Sequence, residues 1–178
     1  PGLIIMYPSN PIDAKGMLIS AIDEPNPVLY FEHKALYRSI EDDVPEGFYN
    51  YKIGMGKIKR VGSDLTIVTY GIGVSWALNY ANTVEKNGIS IEIIDLITLS
   101  PWDKELVLSS VNKTNRLIIL HEANLTGGIG GEISAYISEH GFEMLDAPII
   151  RVASIDTPIP FSPNIENDIY DYWEKNKF

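Results

Sequence analysis

The chain has 178 residues, of which 45% are hydrophobic, and a formal net charge of −10 at pH 7. This length and composition predict one packed domain, or one domain with a piece of another. The lack of cysteine excludes a disulfide framework and a thiolate metal site. The acidic balance argues against non-specific binding to nucleic acid or to an anionic membrane, and no apolar run in the sequence has the length of a membrane span.

The first predicted elements form a strand–helix–strand unit. Residues 3–8 and 28–33 are apolar and predict strands, and Ser9 or Asn10 is expected to cap the helix between them, with Pro11 in its first turn. Apolar residues at helical spacing predict its buried face: Ala14, Met17, Leu18, Ala21 and Ile22. Two strands and one helix do not build a stable domain. We therefore expect the chain to open inside a domain whose earlier part is missing, with part of the cover absent from Leu3, Ile5, Leu29 and Phe31.

A second pattern follows the acidic residues 37–56, whose composition is typical of a connector. Strands on either side of Gly62 and Ser63 predict a hairpin, and further strands are expected at residues 89–96, 116–120 and 148–153. Helical patterns cover residues 74–88, 100–113, 131–142 and 164–177. Ser100 is the expected cap of the second of these, with Pro101 at its first helical position. Strands that alternate with helices predict a three-layer, mostly parallel α/β sheet.

The glycine-rich stretch after the strand at residues 116–120 reads HEANLTGGIGGEI. Gly128 and Gly130 match the first two glycines of a dinucleotide fingerprint, but Ile133 stands at the third position. A P-loop lysine is also lacking, and Glu132 in the first helical turn would repel a phosphate. We expect residues 126–131 to form a tight turn that allows close helix–strand packing, lies near another subunit and binds no phosphate.

Two polar pairs are weaker candidates. The first pair, His121 and Glu122, ends a predicted parallel strand, where open α/β sheets place ligands. The two residues could form an acid–base pair or be structural residues. The structural interpretation is favoured. Asp23 and Glu24 end the first helix and are expected to be solvated unless a cation lies there. The three histidines do not have metal-ligand spacing.

Several long motifs, in order along nearly the whole chain, carry a resemblance to a known family: PGLIIMYPSNPIDAKGMLISAI, NPVLYFEHKALYR, SDLTIVTYG, IEIIDLITLSPWD, HEANLTGGIGGEI and LDAPIIRVASIDTPIPF. They resemble the beta subunit of the thiamine-dependent decarboxylating component of 2-oxo acid dehydrogenase complexes, of the pyruvate and branched-chain type. The resemblance implies that residues 1–40 are the end of a pyrimidine-binding α/β domain, 41–56 a linker and 57–178 a transketolase-type C-terminal domain.

The resemblance also implies a function. Such an enzyme decarboxylates a 2-oxo acid and acylates the lipoyl group of an acyltransferase. The family's thiamine-activating glutamate and an active-site histidine lie upstream of the motif that starts at Pro1, so no catalytic or cofactor-binding residue is assigned to this chain. Thiamine diphosphate and magnesium are expected mostly outside it, and this portion alone is expected to be inactive.

The implied partners are an alpha subunit and a second beta subunit, in a heterotetramer, and a dihydrolipoyl acyltransferase core. A structural potassium ion is implied at main-chain carbonyls of Ala21, Ile22, Glu24 and Asn26, where a helix end presents unpaired carbonyls. The implied compartment is the bacterial cytoplasm, with the mitochondrial matrix as the alternative.

Two other functions stay open at this point. One is the C-terminal part of a transketolase or deoxyxylulose-phosphate synthase, which share the C-terminal fold. The other is a non-catalytic interaction domain that supplies subunit contacts.

Overall fold

The computed structural model describes residues 2–162 and 164–166, which form two sheets and their flanking helices. The strands are β1 Ile4–Met6, β2 Val28–Tyr30, β3 Lys57–Arg60, β4 Leu65–Thr69, β5 Ile91–Asp95, β6 Thr98–Ser100, β7 Leu117–Asn124 and β8 Ile150–Ser154. The helices are α1 Pro11–Asp23, α2 Leu36–Ser39, α3 Gly73–Glu85, α4 Lys104–Thr114 and α5 Ile129–His140, with a 3₁₀ turn at Phe142–Met144. Residues 164–166 are helical, and the rest of the predicted last helix, including Trp173, lies outside the described residues.

The larger sheet confirms the predicted α/β class. Its order is β3-β5-β4-β7-β8, and all neighbours are parallel except β3 and β5. Ala77 and Ala81 of α3 pack on one face, against Ile67 and Ile93. Helices α4 and α5 cover the other face, where Val111 and Ile137 join the second buried cluster. The layers are therefore helix, sheet and helix, and all five residues of β5 are buried, as expected of a strand covered on both faces.

The predicted hairpin at Gly62 and Ser63 is wrong. Strand β5 lies between β3 and β4, and β3 runs antiparallel to β5. The chain after β3 crosses the end of β5 so closely that a Cβ on Gly62 would lie 2.2 Å from the amide nitrogen of Glu92. Glycine has no side chain and so permits this crossing. Strands β3 and β4, which flank it in the sequence, do not pair with each other.

The smaller sheet joins the first part of the chain to the rest. We call this first part, residues 2–40, the N-terminal unit. Strand β1 pairs in parallel with β2, as expected, and antiparallel with β6, which follows β5. Leu3, Leu29 and Phe31 are exposed, as expected, whereas Ile5 is half-buried. The pairing with β6 makes the N-terminal unit continuous with the backbone of the larger domain.

Helix α1 begins as predicted, because the side chain of Asn10 accepts a hydrogen bond from the Asp13 amide. Its predicted buried face is only partly right. Met17 is buried, but Leu18 and Ile22 are 46% and 75% exposed. The buried face includes Gly16, where a Cβ would lie 2.6 Å from the Tyr51 ring. Small and polar residues therefore let the segment at residues 49–53 lie against the helix, which apolar periodicity did not indicate.

The predicted start of α4 is also wrong. Ser100 lies in β6 opposite Ile5, and the helix begins at Lys104, four residues later. Its cap is Asp103, whose carboxylate accepts from the Leu106 amide at 3.0 Å. Ser100 belongs to the paired strand β6, so the helix starts only after the strand has ended, and Asp103 takes the capping position.

Candidate functional site

The parallel strands β4 and β7 are neighbours, and the segments that follow them leave toward opposite faces of the sheet. Residues 70–73 lead to α3 on one face, and residues 121–128 lead to α5 on the other. Such a topological switch point opens a crevice at the carboxyl ends of the strands, where open α/β sheets bind ligands. We call this place the switch-point crevice.

The protein fills the switch-point crevice with its own aromatic rings. The Tyr7 ring, from the end of β1, lies 5.5 Å from the Tyr70 ring, which stacks 6.2 Å from His121. Gly71, with φ +54°, gives Tyr7 its space, because a Cβ there would lie 3.0 Å from the Tyr7 ring. Burial and then the charge of Glu122 raise the pKa of Tyr7 to about 12, so its hydroxyl stays neutral at physiological pH.

His121 is fully buried beneath the start of α5. Its Nδ1 lies 3.0 Å from the Ala123 carbonyl, and burial lowers the pKa of the imidazole. A neutral ring with a proton on Nδ1 donates to that carbonyl. Nε2 has no hydrogen-bond partner within the described part of the chain, and its lone pair faces the positive end of the α5 dipole. Burial and the contact with Ala123 agree with the favoured structural role of His121, which stays a prediction.

The glycines of the loop are shaped around this imidazole. A Cβ on Gly128 would lie 2.7 Å from His121 Cε1, and one on Gly130 would lie 2.5 Å from Nε2. Gly127 has a φ of +78° and turns the chain. The expected close helix–strand packing is therefore confirmed. The Gly131 amide donates to the Gly128 carbonyl, and Glu132 is exposed in the first turn. These groups do not form a cradle for a diphosphate.

Glu122 does not pair with His121 but with a residue of the N-terminal unit. Its Oε1 lies 3.1 Å from Nε2 of His33, and the two side chains are 30% and 17% exposed. The Ala35 amide donates to His33 Nδ1 at 3.2 Å. Since Nδ1 accepts, a neutral His33 carries its proton on Nε2 and donates it to Glu122. The sequence did not predict this pair. His33 follows β2, and Glu122 lies in the last part of β7, so each residue stands near the carboxyl end of its strand.

A second polar cluster joins α1 to β3 and β5. Asp13 accepts hydrogen bonds from Lys57 and, at 2.7 Å, from Lys59. Burial pushes the pKa of Asp13 up, but these hydrogen bonds outweigh it and hold the pKa below its usual value. Asp95 is completely buried, and that burial raises its pKa to about 6. Asp13, Lys57 and Lys59 line a cavity of about 420 Å³, and these charged groups pair with one another.

The four residues expected at a cation lie where α1 ends. Ala21 and Ile22 belong to its last turn, and Glu24 is the C-cap. Glu24 Oε1 accepts from the amide and the side chain of Asn26. Pro25 has no amide hydrogen, so the Ala21 carbonyl lacks the usual donor four residues on. The Ala21 carbonyl is thus a hard oxygen donor of the kind that a potassium ion takes. No group of three or more His, Asp or Glu residues suited to a metal occurs among residues 2–162 and 164–166.

The model of the transketolase C-terminal domain matches residues 54–171. The chain belongs to this family. Its residues 54–154 contain the larger sheet and all three of its covering helices. The expected transketolase-type fold is confirmed. A solved split-gene transketolase, described as an inactive beta4 tetramer, superposes with a TM-score of 0.77 over 95% of this chain and 53% of its own, at 25% identity.

Family members of higher identity are beta subunits. The chain is 48% identical over 160 residues to the mitochondrial 2-oxoisovalerate dehydrogenase subunit beta 2 of Arabidopsis thaliana, covering 90% of this chain and 45% of the relative. It is 46% identical to the pyruvate dehydrogenase E1 component subunit beta of Bacillus subtilis, over 91% of this chain and 50% of the relative. The same organism's 2-oxoisovalerate dehydrogenase subunit beta is 45% identical, over 93% and 51%. The chain therefore spans about half the length of these relatives.

These findings confirm the resemblance to the C-terminal portion of the beta subunits. They do not favour the transketolase or synthase alternative, because the transketolase neighbour is only 25% identical. The relatives are named as subunits and the structural neighbour as a tetramer, so oligomeric assembly is common to them. They are bacterial and mitochondrial. In the described part of the chain, no helix is both long and apolar enough to cross a membrane.

Proposed function

We propose that this chain works as part of the beta subunit of a 2-oxo acid dehydrogenase, which decarboxylates a 2-oxo acid and acylates the lipoyl group of an acyltransferase. The observation that carries the proposal is the 45–48% identity to such subunits over at least 90% of the chain. Relatives that act in both pyruvate and 2-oxoisovalerate dehydrogenases support the substrate class of 2-oxo acids.

Within that enzyme, the chain supplies structure and contacts. Residues 1–40 are the end of the pyrimidine-binding domain, residues 41–56 the linker and residues 57–178 the C-terminal domain. The crevice of the C-terminal domain is filled by Tyr7 and its glycine loop is packed on His121. Both features support a scaffold in place of a cofactor pocket.

Thiamine diphosphate and magnesium belong, in this proposal, to the complete enzyme and are held mostly by residues outside this chain. The cofactor supplies the nucleophilic carbon that attacks the 2-oxo group. In this proposal the glycine loop holds no diphosphate, because the Gly131 amide donates to the Gly128 carbonyl and Glu132 places a negative charge at the start of α5. What this chain contributes is the position of the N-terminal unit, set by β6 and by the pair of His33 and Glu122.

The proposed partners are an alpha subunit and a second beta subunit, in a heterotetramer, and the acyltransferase core. The proposed compartment is the bacterial cytoplasm. A potassium ion is proposed at the carbonyls of Ala21, Ile22, Glu24 and Asn26, where Pro25 withholds an amide from the end of α1.

Coexpression tests the function. A beta subunit that contains this chain would be produced with an alpha subunit and assayed with thiamine diphosphate and magnesium on pyruvate and branched-chain 2-oxo acids. We expect a complex of the two subunits and decarboxylation of at least one of these acids. A stable complex that turns over sugar phosphates and no 2-oxo acid would refute the proposal in favour of a transketolase.

A further inference from the structure

The pair of His33 and Glu122 joins two parts of the chain whose strands end at the same place. His33 lies three residues after the parallel strand β2, and Glu122 lies in the last part of β7. The carboxyl ends of parallel strands are where ligands of α/β sheets bind. In the larger sheet that place is filled by Tyr7. Phe31, just after β2, lies 6.1 Å from the Tyr7 ring, so the segment after β2 stands beside this crevice at the carboxyl end of a parallel strand.

The segment that follows β2 is an irregular stretch of the chain. Residues 31–35 contain no helix or strand, and α2 after them has only four residues. Phe31 is 48% exposed. Within the segment and α2, the Leu36 amide donates to the His33 carbonyl and the Tyr37 hydroxyl donates to Glu32. Contacts from outside add to these: the Met6 carbonyl accepts from the Phe31 amide at 2.9 Å, and Glu122 lies 3.1 Å from the His33 ring.

His33 connects Glu122 to the backbone of the segment after β2. Its Nε2 faces Glu122 at 3.1 Å, and its Nδ1 accepts from the Ala35 amide at 3.2 Å. One imidazole thus links a side chain of the C-terminal domain to the main chain just before α2. Glu122 fixes the tautomer, because an acceptor at Nε2 places the proton there and leaves Nδ1 free to accept.

We propose that Glu122 is a positioning residue of the decarboxylase, which holds residues 31–35 at the substrate side of the N-terminal unit through His33. The inference rests on the proposed function, since the reaction belongs to the assembled enzyme. It assigns to the C-terminal domain a direct part in shaping the site that binds the 2-oxo acid. Glu122 does not touch the reacting atoms, and its effect is geometric.

The experiment uses the complex of an alpha subunit with a beta subunit that contains this chain. Glu122→Ala and His33→Ala are each expected to lower kcat/KM for the 2-oxo acid by roughly ten- to a hundredfold, the loss that a misplaced binding segment causes. The double variant is expected to lose less than the sum of the two single losses, because both changes break the contact between these two side chains. Glu122→Gln keeps an acceptor oxygen and should recover most of the activity.

Glu132→Ala, an exposed glutamate ten residues further on, is the matched control and should leave kcat/KM unchanged. Thermal stability of each complex separates positioning from a purely structural role. If Glu122→Ala lowers the melting temperature but leaves kcat/KM at the wild-type value, the inference is overturned. Should that variant not assemble, Glu122→Asp shortens the reach by one methylene and is expected to lower kcat/KM in the same direction; wild-type values for it would also overturn the inference. A wild-type complex without 2-oxo acid turnover would instead refute the proposed function.

Discussion

The hydroxyl of Ser9 donates a 2.5 Å hydrogen bond to the carboxylate of Asp95, a residue 86 positions later in the chain. Asp95 ends β5, and its other oxygen accepts from the Ile97 amide, which helps to hold Ile97 at a φ of +59°. One buried carboxylate therefore ties the segment before α1 to the turn between β5 and β6, and its protonation state bears on stability.

The first prediction concerns Asp95 and pH. Burial raises its pKa from 3.8 to about 6 in the folded chain, so the folded state binds the proton more tightly than the unfolded state. Stability from this group is therefore lost as pH rises between these two values. Asp95→Asn removes this titration. The difference in the free energy of unfolding, variant minus wild type, should therefore be about 1–1.5 kcal/mol larger at pH 8 than at pH 5. Urea denaturation at several pH values measures it.

Asp13 supplies the opposite trend. Its pKa is lowered, so its contribution is present above the unfolded pKa and is lost as pH falls. Asp13→Asn should therefore destabilise the chain most at neutral pH. Asp146→Asn, at an exposed aspartate, controls for the change in net charge.

For the first prediction, an Asp95→Asn effect on the free energy of unfolding that stays constant from pH 5 to pH 8 would be the contradicting result.

The second prediction concerns two adjacent glycines of α5. Gly130→Ala places a methyl group 2.5 Å from His121 Nε2 and should cost about 1–3 kcal/mol through overpacking. Gly131→Ala is its control, because the nearest atom is Arg151 Nη1 at 3.6 Å. In a helix this change should be neutral or stabilise by up to about 1 kcal/mol.

A double-mutant cycle identifies the cause. In a His121→Ala background the cost of Gly130→Ala should largely disappear, because the clashing ring is gone. Equal costs in both backgrounds would mean that the glycine is required for another reason.

The third prediction concerns potassium. Adding potassium chloride, but not the same concentration of sodium chloride, should raise the melting temperature of a beta subunit that contains this chain. Pro25→Ala offers an amide to the Ala21 carbonyl and should weaken the response. Pro27→Ala also adds an amide, but beyond the end of α1 and outside the proposed ligand set, so that variant should keep the response. Equal melting temperatures in the two salts would count against the site.

The fourth prediction concerns the 178-residue chain by itself. Purified alone, with thiamine diphosphate and magnesium, it should not decarboxylate pyruvate or branched-chain 2-oxo acids. The proposed catalytic groups belong to other parts of the enzyme. Turnover at the level of a complete dehydrogenase, without an alpha subunit, would contradict both this expectation and the proposed role as a scaffold.

Sequence patterns predicted the elements that depend on local chemistry. The cap at Asn10, the helix that follows the glycine loop, and the strand β5 follow from side-chain type and spacing. The patterns failed where distant backbone decided the outcome. Strand β5 inserts between β3 and β4, and β1 pairs with Ser100.

The candidate site shows the same limit. The glycines were interpreted correctly as packing residues, but their partner, the His121 ring, is set by the tertiary fold. The pair of His33 and Glu122 spans 89 positions, and no local pattern connects them. The lysines around Asp13 come from an antiparallel edge strand that the sequence placed in a hairpin.

The Tyr7 ring in the switch-point crevice behaves as a tethered ligand. A free ligand saturates such a place only above its dissociation constant, whereas a covalently attached side chain has an effective concentration set by the backbone. The strand pairing of β1 with β6 keeps that concentration high at every dilution. Any free aromatic compound that entered the crevice would compete with the Tyr7 ring, which is covalently attached and therefore always present. Shortening Tyr7 to alanine would turn this intramolecular occupancy into an ordinary binding equilibrium.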